Sequence, residues 1–365
     1  MNRPRRSLAV AAAATLWLLA AQPAWADNIR DQEWYLTYLH IPEAQQISQG
    51  DGVTVAVVDS GVNPNQPELA GNLLPGFDNV ALDRGWSDDF GHGTAMSCLI
   101  AAHGTGASSG ALGIAPKAKI LPVKVGDDAE TNNYDYIVQG IGWAVDHGAK
   151  VINLSFGAAR AGTEEEKAVR DAIAADVVVV AGVGNQPEVS QVAYPAKYPG
   201  VVAVAGVDQN GNHADVSVTG PEVVLSAPAV DILAPHADGQ YLNGTGTSDA
   251  TAIVSGVAAL VRAKYPNLSA AEVVHRLTAT ATDKGPPGRD DQYGYGIVNP
   301  VAALTADVPP LPPSPTASPT GAATSPTNIA APRASSPTVL IGILVAVLVA
   351  AASVGLVILR ARTRR

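Results

Sequence analysis

The sequence predicts an α/β fold in which a parallel β-sheet carries helices on both faces. Short, mainly apolar runs of strand length alternate with segments of helical length along the middle of the chain, as in βαβ units. The runs lack the alternation of polar and apolar residues that half-exposed strands show, which indicates strands covered on both faces. With 47% hydrophobic and 15% charged residues, the chain is also too apolar for a disordered protein. We therefore expect one large globular unit over residues 27–306.

Five apolar runs are predicted as strands and five longer segments as helices. The last helix is marked by a capping box, in which Ser269 and Glu272 satisfy each other's backbone amides. The predicted strands are Val53–Val58, Ile120–Val125, Val151–Leu154, Val177–Ala181 and Val201–Val204. The predicted helices are Thr94–Ala102, Asn133–His147, Thr163–Ala175, Ser248–Tyr265 and Ser269 to about Thr280. Functional residues gather at the carboxyl ends of the strands in such sheets, so the loops that follow the strands are the first place to look.

The N-terminal 26 residues have the three parts of a secretory signal peptide. Three arginines precede a 14-residue apolar run, Leu8–Ala21, and small residues occupy the −3 and −1 positions of the cleavage site that ends at Ala26. The mature protein is then expected to begin near Asp27. An uncleaved N-terminal anchor is the alternative.

The C-terminal end has the pattern of a single membrane-spanning helix. Val339–Leu359 has 21 residues without a charge, enough to cross a bilayer core of about 30 Å. Four arginines follow within residues 360–365, so the tail is expected in the cytoplasm and a helix over 338–359 would hold the domain outside the cell. The alternative, a removed lipid-anchor signal, has a tail that ends in apolar residues. Residues 307–337 contain nine prolines and two charged residues, which predicts an extended linker.

Composition excludes several classes of function. The single cysteine, Cys98, excludes intramolecular disulfides and zinc sites built from several cysteines. Residues 27–337 hold all 33 acidic residues and only 16 of the 23 basic ones, so nucleic acid is not expected as a partner. The aspartate pairs at 88–89 and 127–128 are interpreted as solvated loop acids. No metal or cofactor is indicated, and structural calcium is left open.

Three polar residues at the ends of predicted elements indicate a nucleophilic site when they are taken together. Asp59 ends the first strand, His92 lies directly before an apolar helix, and Ser248 opens a later helix. Each alone fits a simpler role: a turn or helix cap for the aspartate, a loop position for the histidine, an N-cap for the serine. Together they supply a nucleophile, its base and a carboxylate that orients the base. A serine at a helix N-terminus also places the positive end of the helix dipole beside a developing oxyanion.

Asn185 adds a fourth group, because its amide could donate to the same oxyanion, although the residue also fits a simple turn. The order Asp59, His92, Asn185, Ser248, with glycine-rich flanks, resembles the subtilisin-like serine proteases over essentially all of residues 50–302. The segments Asn-Leu-Ser-Phe-Gly at 153–157 and Gly-Tyr-Gly-Ile-Val-Asn at 294–299 match two further family motifs. The resemblance implies a serine endopeptidase. Its nucleophile would be Ser248, its general base and acid His92, its orienting carboxylate Asp59 and its oxyanion donor Asn185.

The resemblance also implies where a protein or peptide substrate binds. In this family, the segments that correspond to 153–157 and 181–184 line the primary specificity pocket and pair with an extended substrate backbone. We therefore expect substrate contacts from Ser155, Phe156, Gly157, Gly182, Val183 and Gly184.

The chain departs from the family pattern at two positions near the proposed site. Asp249 follows the serine where the family usually has methionine, so it adds a negative charge near the oxyanion and could slow catalysis. In the first turn of a helix, the same charge is favourable by about 0.3–1 kcal/mol. Cys98 stands where the family commonly has glycine, and we expect it to be a small buried hydrophobic residue rather than a reactive thiol.

The two ends of the chain resemble those of the mycosins, the membrane-anchored subtilisin-like proteases of type VII secretion systems. About 25 residues separate Ala26 from the first strand, too few for a folded inhibitory pro-domain. This N-terminal extension, 27–52, includes Trp34, Tyr35 and Leu36, and we expect it to pack on the catalytic domain as a permanent strap rather than to form a flexible leader. The resemblance implies a protease that belongs to a secretion membrane complex. A general surface protease and a scaffold in which proteolysis is secondary are the alternatives.

Overall fold

A seven-stranded parallel sheet organises the described residues of the computed structural model, which are 29–80, 86–106, 108–126 and 134–311. Its strands follow the order β2-β3-β1-β4-β5-β6-β7, and a separate antiparallel pair joins β8 to β9. The strands are β1 Thr54–Asp59, β2 Phe77–Asp78, β3 Lys119–Lys124, β4 Val151–Leu154, β5 Val178–Gly182, β6 Val202–Val207, β7 Leu225–Pro228, β8 Ile232–Pro235 and β9 Tyr241–Gly244.

The helices lie on both faces of the sheet, as the sequence predicted. Those of the N-terminal segment are α1 Ile29–Gln32, α2 Trp34–Tyr38 and α3 Ile41–Gln45. The others are α4 His92–Ala101, α5 Tyr134–Asp146, α6 Thr163–Ala174, α7 Thr247–Lys264, α8 Ala270–Ala279 and α9 Pro300–Thr305. The capping box at the start of α8 is present.

Alternate residues of the buried strands separate two hydrophobic cores. In β1, Val55 and Val57 belong to the core that includes α4 and α7, whereas Ala56 and Val58 belong to the core that includes α5 and α6. Because both cores exclude water, apolar residues predominate in the central strands on both faces of the sheet. The five predicted strands and five predicted helices are confirmed, each within three residues of its predicted ends.

Strand register brings three loops to one edge of the sheet. Asp59 ends β1, and its neighbour Val58 pairs with Leu154 at the end of β4. Leu154 in turn pairs with Ala181 near the end of β5. The loops after β1, β4 and β5 therefore emerge side by side.

Several sequence predictions concern residues outside the described ranges. These are the signal peptide, 1–26, the aspartate pair at 127–128, most of the 307–337 linker, the 338–359 helix and the 360–365 tail. Within the described ranges, none of the helices combines the length and the hydrophobicity that a membrane crossing requires.

The N-terminal segment packs against the rest of the domain, as predicted. Tyr35 and Ile41 are fully buried in the core that contains α4 and α7. The indole of Trp34 donates to the carbonyl oxygen of Val230 at 3.1 Å. The hydroxyl of Ser48 donates to the carbonyl oxygen of Leu260 at 2.8 Å. This segment contributes no residue to the cavity described below, so it leaves that cavity open.

We expect Trp34→Ala to lower the melting temperature without raising activity. The substitution removes a partly buried indole and its hydrogen bond, which should reduce the free energy of unfolding by about 1–3 kcal/mol. Scanning calorimetry and a peptide assay on the same preparation check the prediction. Higher activity in Trp34→Ala would instead indicate an inhibitory leader.

N-terminal sequencing tests whether the segment is retained. Wild type and Ser248→Ala should both begin near Asp27, and a start near Gly50 in wild type alone would indicate self-processing.

Candidate active site

Asp59 and His92 form a hydrogen-bonded pair at the edge where β1 ends. The Nδ1 atom of His92, the first residue of α4, lies 2.8 Å from Oδ1 of Asp59. Asp59 is only 5% exposed, and the backbone amide of Ser60 donates to the same oxygen. A carboxylate at Nδ1 holds the ring in place and leaves Nε2 for other chemistry.

A glycine allows this close approach. A Cβ atom at Gly93 would lie 2.1 Å from the carbonyl oxygen of Gly61 and 3.2 Å from Cβ of Asp59. The start of α4 could therefore not pack against the end of β1 with any larger residue. This close packing explains why a glycine directly follows His92.

The loop before α4 is held by Asp88, which is buried and not solvated. Asp88 is 7% exposed, and it accepts hydrogen bonds from the hydroxyl of Ser60 at 2.9 Å and from the amides of Gly91 and Thr94 at 2.7 and 2.9 Å. The interpretation of Asp88 as a solvated acid was therefore wrong, because the loop folds back on its own side chain. Asp89 is 65% exposed, as expected.

Ser248 is the second residue of α7, and its side chain does not cap that helix. The N-cap is Gly246, and the hydroxyl of Ser248 donates to the carbonyl oxygen of Ser155 at 3.0 Å. The hydroxyl of Ser155 donates in return to the carbonyl oxygen of Ser248 at 3.2 Å. In this structure the serine is thus bound to the end of β4, and it makes no hydrogen bond to His92.

The amide of Asn185 is oriented by the start of α7. Its Oδ1 accepts from the backbone amide of Thr247 at 2.9 Å and from the Thr247 hydroxyl at 3.2 Å. The Nδ2 group consequently points away from those donors. The first amides of a helix have no acceptor within the helix, so Asn185 and the start of α7 bring two kinds of hydrogen-bond donor to the vicinity of Ser248.

A cavity of about 630 Å³ lies beside Ser248 and Asn185, and neither His92 nor Asp59 is among its lining residues. Five of the six predicted substrate contacts line it, together with Asn185 and Ser248: Ser155, Phe156, Gly157, Gly182 and Gly184. Val183 does not line it, because its side chain is fully buried in the core that contains α5 and α6. The alternation of side chains after β5 directs Val183 away from the cavity.

Several lining residues were not predicted from the sequence. They come from α5, from α6 and from the loop after β5, far from the recognised motifs: Tyr134, Ile137, Glu165, Glu188, Val189, Ala193 and Tyr194. Their local patterns are those of ordinary helix and loop residues, and nothing in the sequence singles them out.

Acidic neighbours favour the charged form of His92. Burial alone lowers the pKa of the imidazole, but the charge of Asp59, its hydrogen bond and the charges of Asp249 and Asp88 together raise that pKa to about 9. Asp249 is itself 6% exposed, and burial raises its pKa to about 7 although charged His92 opposes the shift. A general base must be neutral, so activity that depends on His92 should rise with pH up to about 9.

We expect Asp249→Asn to move the acidic limb of the pH profile to lower pH. Removing this negative charge lowers the pKa of His92, so more of the imidazole is neutral at pH 7 and kcat/KM there should rise roughly 3- to 10-fold. Initial rates between about pH 6 and pH 10 measure the effect. Asp238→Asn, at an exposed position, is the matched control. An acidic limb that does not move in Asp249→Asn would contradict the conclusion that Asp249 raises the pKa of His92.

Two other sequence expectations concern metals and thiol chemistry. Within the described ranges, no group of three or more His, Cys, Asp or Glu side chains is arranged to hold a metal ion. Cys98 is 1% exposed, and burial raises the pKa of its thiol well above the usual range. It is the small buried residue that the sequence predicted.

Comparison with protein families and comparison with individual proteins identify the same kind of relative. The family model described as the subtilase family matches residues 50–296. The chain is 36% identical to subtilisin DY of Bacillus licheniformis over 258 residues, which is 70% of this chain and 92% of that protein. It is also 36% identical to a thermostable alkaline protease of Halalkalibacterium halodurans over 267 residues, which is 73% of this chain and 72% of that protein.

Solved structures show the same similarity in three dimensions. The crystal structure of MycP1 with its N-terminal propeptide removed aligns with a TM-score of 0.68 at 32% identity, over 76% of this chain and 98% of that one. The MycP3 protease from the type VII (ESX-3) secretion system aligns with a TM-score of 0.65 at 32% identity, over 75% of this chain and 88% of that one.

Proposed function

The chain belongs to the subtilase family and is a subtilisin-like serine endopeptidase, and we propose that Ser248, His92, Asp59 and Asn185 perform its chemistry. The observation that carries this proposal is the 2.8 Å contact between His92 and Asp59. It lies at the sheet edge whose cavity is shared by Ser248 and Asn185. No metal or cofactor is required for this chemistry.

In the proposed mechanism, the hydroxyl of Ser248 attacks the substrate carbonyl carbon while Nε2 of His92 takes its proton. The proton then passes to the leaving amine, and Asp59 stabilises the imidazolium between the two steps. The side-chain amide of Asn185 and the backbone amide of Ser248 donate to the oxyanion. A substrate strand that pairs with residues 155–157 would use the carbonyl oxygen of Ser155, which frees the Ser248 hydroxyl to turn toward His92.

Labelling with a fluorophosphonate tests the assembled site. The full-length protein should react at Ser248, because only a serine activated by a base attacks this phosphorus. Ser248→Ala should not be labelled, and Ser190→Ala, which removes an exposed serine, should be labelled like wild type. Equal labelling of Ser248→Ala would disprove the assignment of the nucleophile.

We further propose that the domain is held outside the cell by a single membrane helix at residues 338–359. The signal-peptide pattern at 1–26, the uncharged run and the arginines at 360–365 support this arrangement.

Proteolytic shaving of intact cells should therefore release a fragment that ends within the 307–337 linker, because extended proline-rich segments are accessible to proteases. Mass spectrometry of the released fragment checks the position of the cut. A domain that is protected until the cells are lysed would contradict the proposed orientation.

The role that we propose for this protease is that of a mycosin-type component of a type VII secretion membrane complex. Similarity to MycP1 and MycP3, at about 30% identity over three quarters of the chain, supports it, as do the two ends of the sequence. The 36% identity to subtilisin DY favours a general surface protease as the second candidate.

Deleting the gene separates these candidates, because only a secretion component should be needed for export through the type VII system. Complementation with Ser248→Ala then isolates the protease activity. Restored export with this variant would indicate a scaffold role in which proteolysis is secondary. Normal export in the deletion strain would favour the general protease.

A further inference from the structure

The cavity beside Ser248 has an acidic lining. Two carboxylates, Glu165 and Glu188, contribute to its wall, and no Lys, Arg or His side chain among the described residues does so. Partly exposed Ser248 lines the cavity, and so do Ile137 and Glu165, each of which is only 2% exposed. The lining therefore combines the proposed nucleophile with a buried carboxyl group.

Glu165 is hydrogen-bonded to Tyr198. The hydroxyl of Tyr198 lies 2.8 Å from its Oε2 atom. The same hydroxyl accepts from the amide of Gly162 at 2.8 Å and lies 3.0 Å from the Gly162 carbonyl oxygen. Within the described residues, no basic side chain forms an ion pair with Glu165. Burial raises the pKa of this carboxyl group because it disfavours the charged form. A bound cation would favour the charged form and so offset the cost of burying it.

The rest of the wall suits the stem of a long side chain. Phe156, Val189 and Ala193 line the same cavity and supply apolar surface. Glu188, an exposed residue on the loop after β5, adds a second negative charge to the lining. A side chain with an aliphatic stem and a cationic head matches this combination of apolar surface and carboxyl groups.

We propose that the cavity selects substrates with lysine or arginine at P1, the residue before the cleaved bond, and that Glu165 is the main specificity-determining residue. This inference rests on the proposed function, because it places the cleaved bond at Ser248. An aromatic or aliphatic P1 residue would fill the same space but bring no cation to the buried carboxyl group, whose charge would then be balanced only by the Tyr198 hydroxyl.

Four peptide substrates that differ only at P1 test the proposal with the full-length protein. We expect kcat/KM for the Lys and Arg peptides to exceed that for the Leu and Phe peptides by about tenfold or more. In Glu165→Gln, the ratio of kcat/KM for Lys to that for Leu should fall about 10- to 100-fold. Glu188→Gln should lower the ratio less, because exposed charges are screened.

The matched control is Glu166→Gln, which makes the same change at the next residue of α6, where the side chain is exposed. It should leave the ratio unchanged. Faster cleavage of the Leu or Phe peptide by wild type would overturn the proposal, whether or not Glu165→Gln folds. So would an unchanged ratio in a folded Glu165→Gln protein.

Binding of benzamidine, an aromatic cation, separates this inference from the proposed function. We expect benzamidine to raise the melting temperature of wild type and of Ser248→Ala, but not that of Glu165→Gln. If no peptide is cleaved and the fluorophosphonate does not label, the proposed function fails. The cation pocket then stands only if this pattern of benzamidine binding is observed, and absence of binding to wild type overturns it.

Discussion

Ser248→Ala and His92→Ala are each expected to reduce kcat by about 10⁴- to 10⁶-fold, and the double variant is expected to be little worse than either. The serine hydroxyl is a weak nucleophile that needs the imidazole to remove its proton, and the imidazole has no role without a hydroxyl to activate. The two losses therefore overlap instead of multiplying. Activity that remains would come from oxyanion stabilisation and substrate positioning.

Measurement of kcat for the four proteins, wild type, the two single variants and the double variant, decides this prediction. Each variant should keep the wild-type melting temperature to within a few degrees, so that loss of folding is not mistaken for loss of chemistry. Ser190→Ala, which changes an exposed serine, is the control and should retain full activity. Losses that multiply in the double variant would show that Ser248 and His92 act independently and would exclude the proposed mechanism.

Asn185→Ala is expected to lower kcat by roughly 10²- to 10³-fold, with a much smaller effect on KM. This corresponds to about 2.7–4 kcal/mol, the usual contribution of one oxyanion donor. In the structure, Thr247 donates to Oδ1 of Asn185 and so orients the side-chain amide, with Nδ2 directed away from Thr247. A donor that needs no reorientation stabilises the oxyanion at full strength.

A second substitution separates the proposed role of Asn185 as an oxyanion donor from its structural role, in which its Oδ1 accepts a hydrogen bond from the amide of Thr247. Asn185→Asp keeps an oxygen that can accept from the amide of Thr247, but it lacks the NH₂ group and adds a negative charge. We expect its kcat to fall at least as far as that of Asn185→Ala, while its melting temperature changes less. An Asn185→Asp protein with wild-type kcat would exclude Asn185 from the oxyanion site.

The strands that are easiest to predict from the sequence are those that both faces of the sheet bury. Val151–Leu154 and Val178–Gly182 are fully buried in the sheet, so a run of apolar residues, interrupted only by Asn153, is enough to identify them. The two-residue strand Phe77–Asp78 is too short for such a run, and it forms because β3, distant in sequence, supplies its hydrogen-bond partners. Strands β8 and β9, which the sequence analysis did not predict, pair with each other as a local hairpin.

The proposed catalytic residues could also be found by sequence, since each lies beside a glycine-rich turn at the end of an apolar element. What the sequence could not provide is their contacts. The hydrogen bond of Ser248 to Ser155 and the anchoring of Asn185 by Thr247 depend on how α7 docks against the ends of β4 and β5.

The sequence by itself thus determined the α/β class, most of the strands and helices and the residues proposed for catalysis. Tertiary structure alone decided the environment of individual charged side chains. Three successive glutamates, 164–166, have the appearance of a solvated helix end, yet the middle one is buried against Tyr198 while its two neighbours are exposed. Asp88 is buried by its own loop in the same way. Local patterns report which backbone conformation a segment prefers, whereas the burial of a single carboxyl group depends on segments that the chain brings together only when it folds.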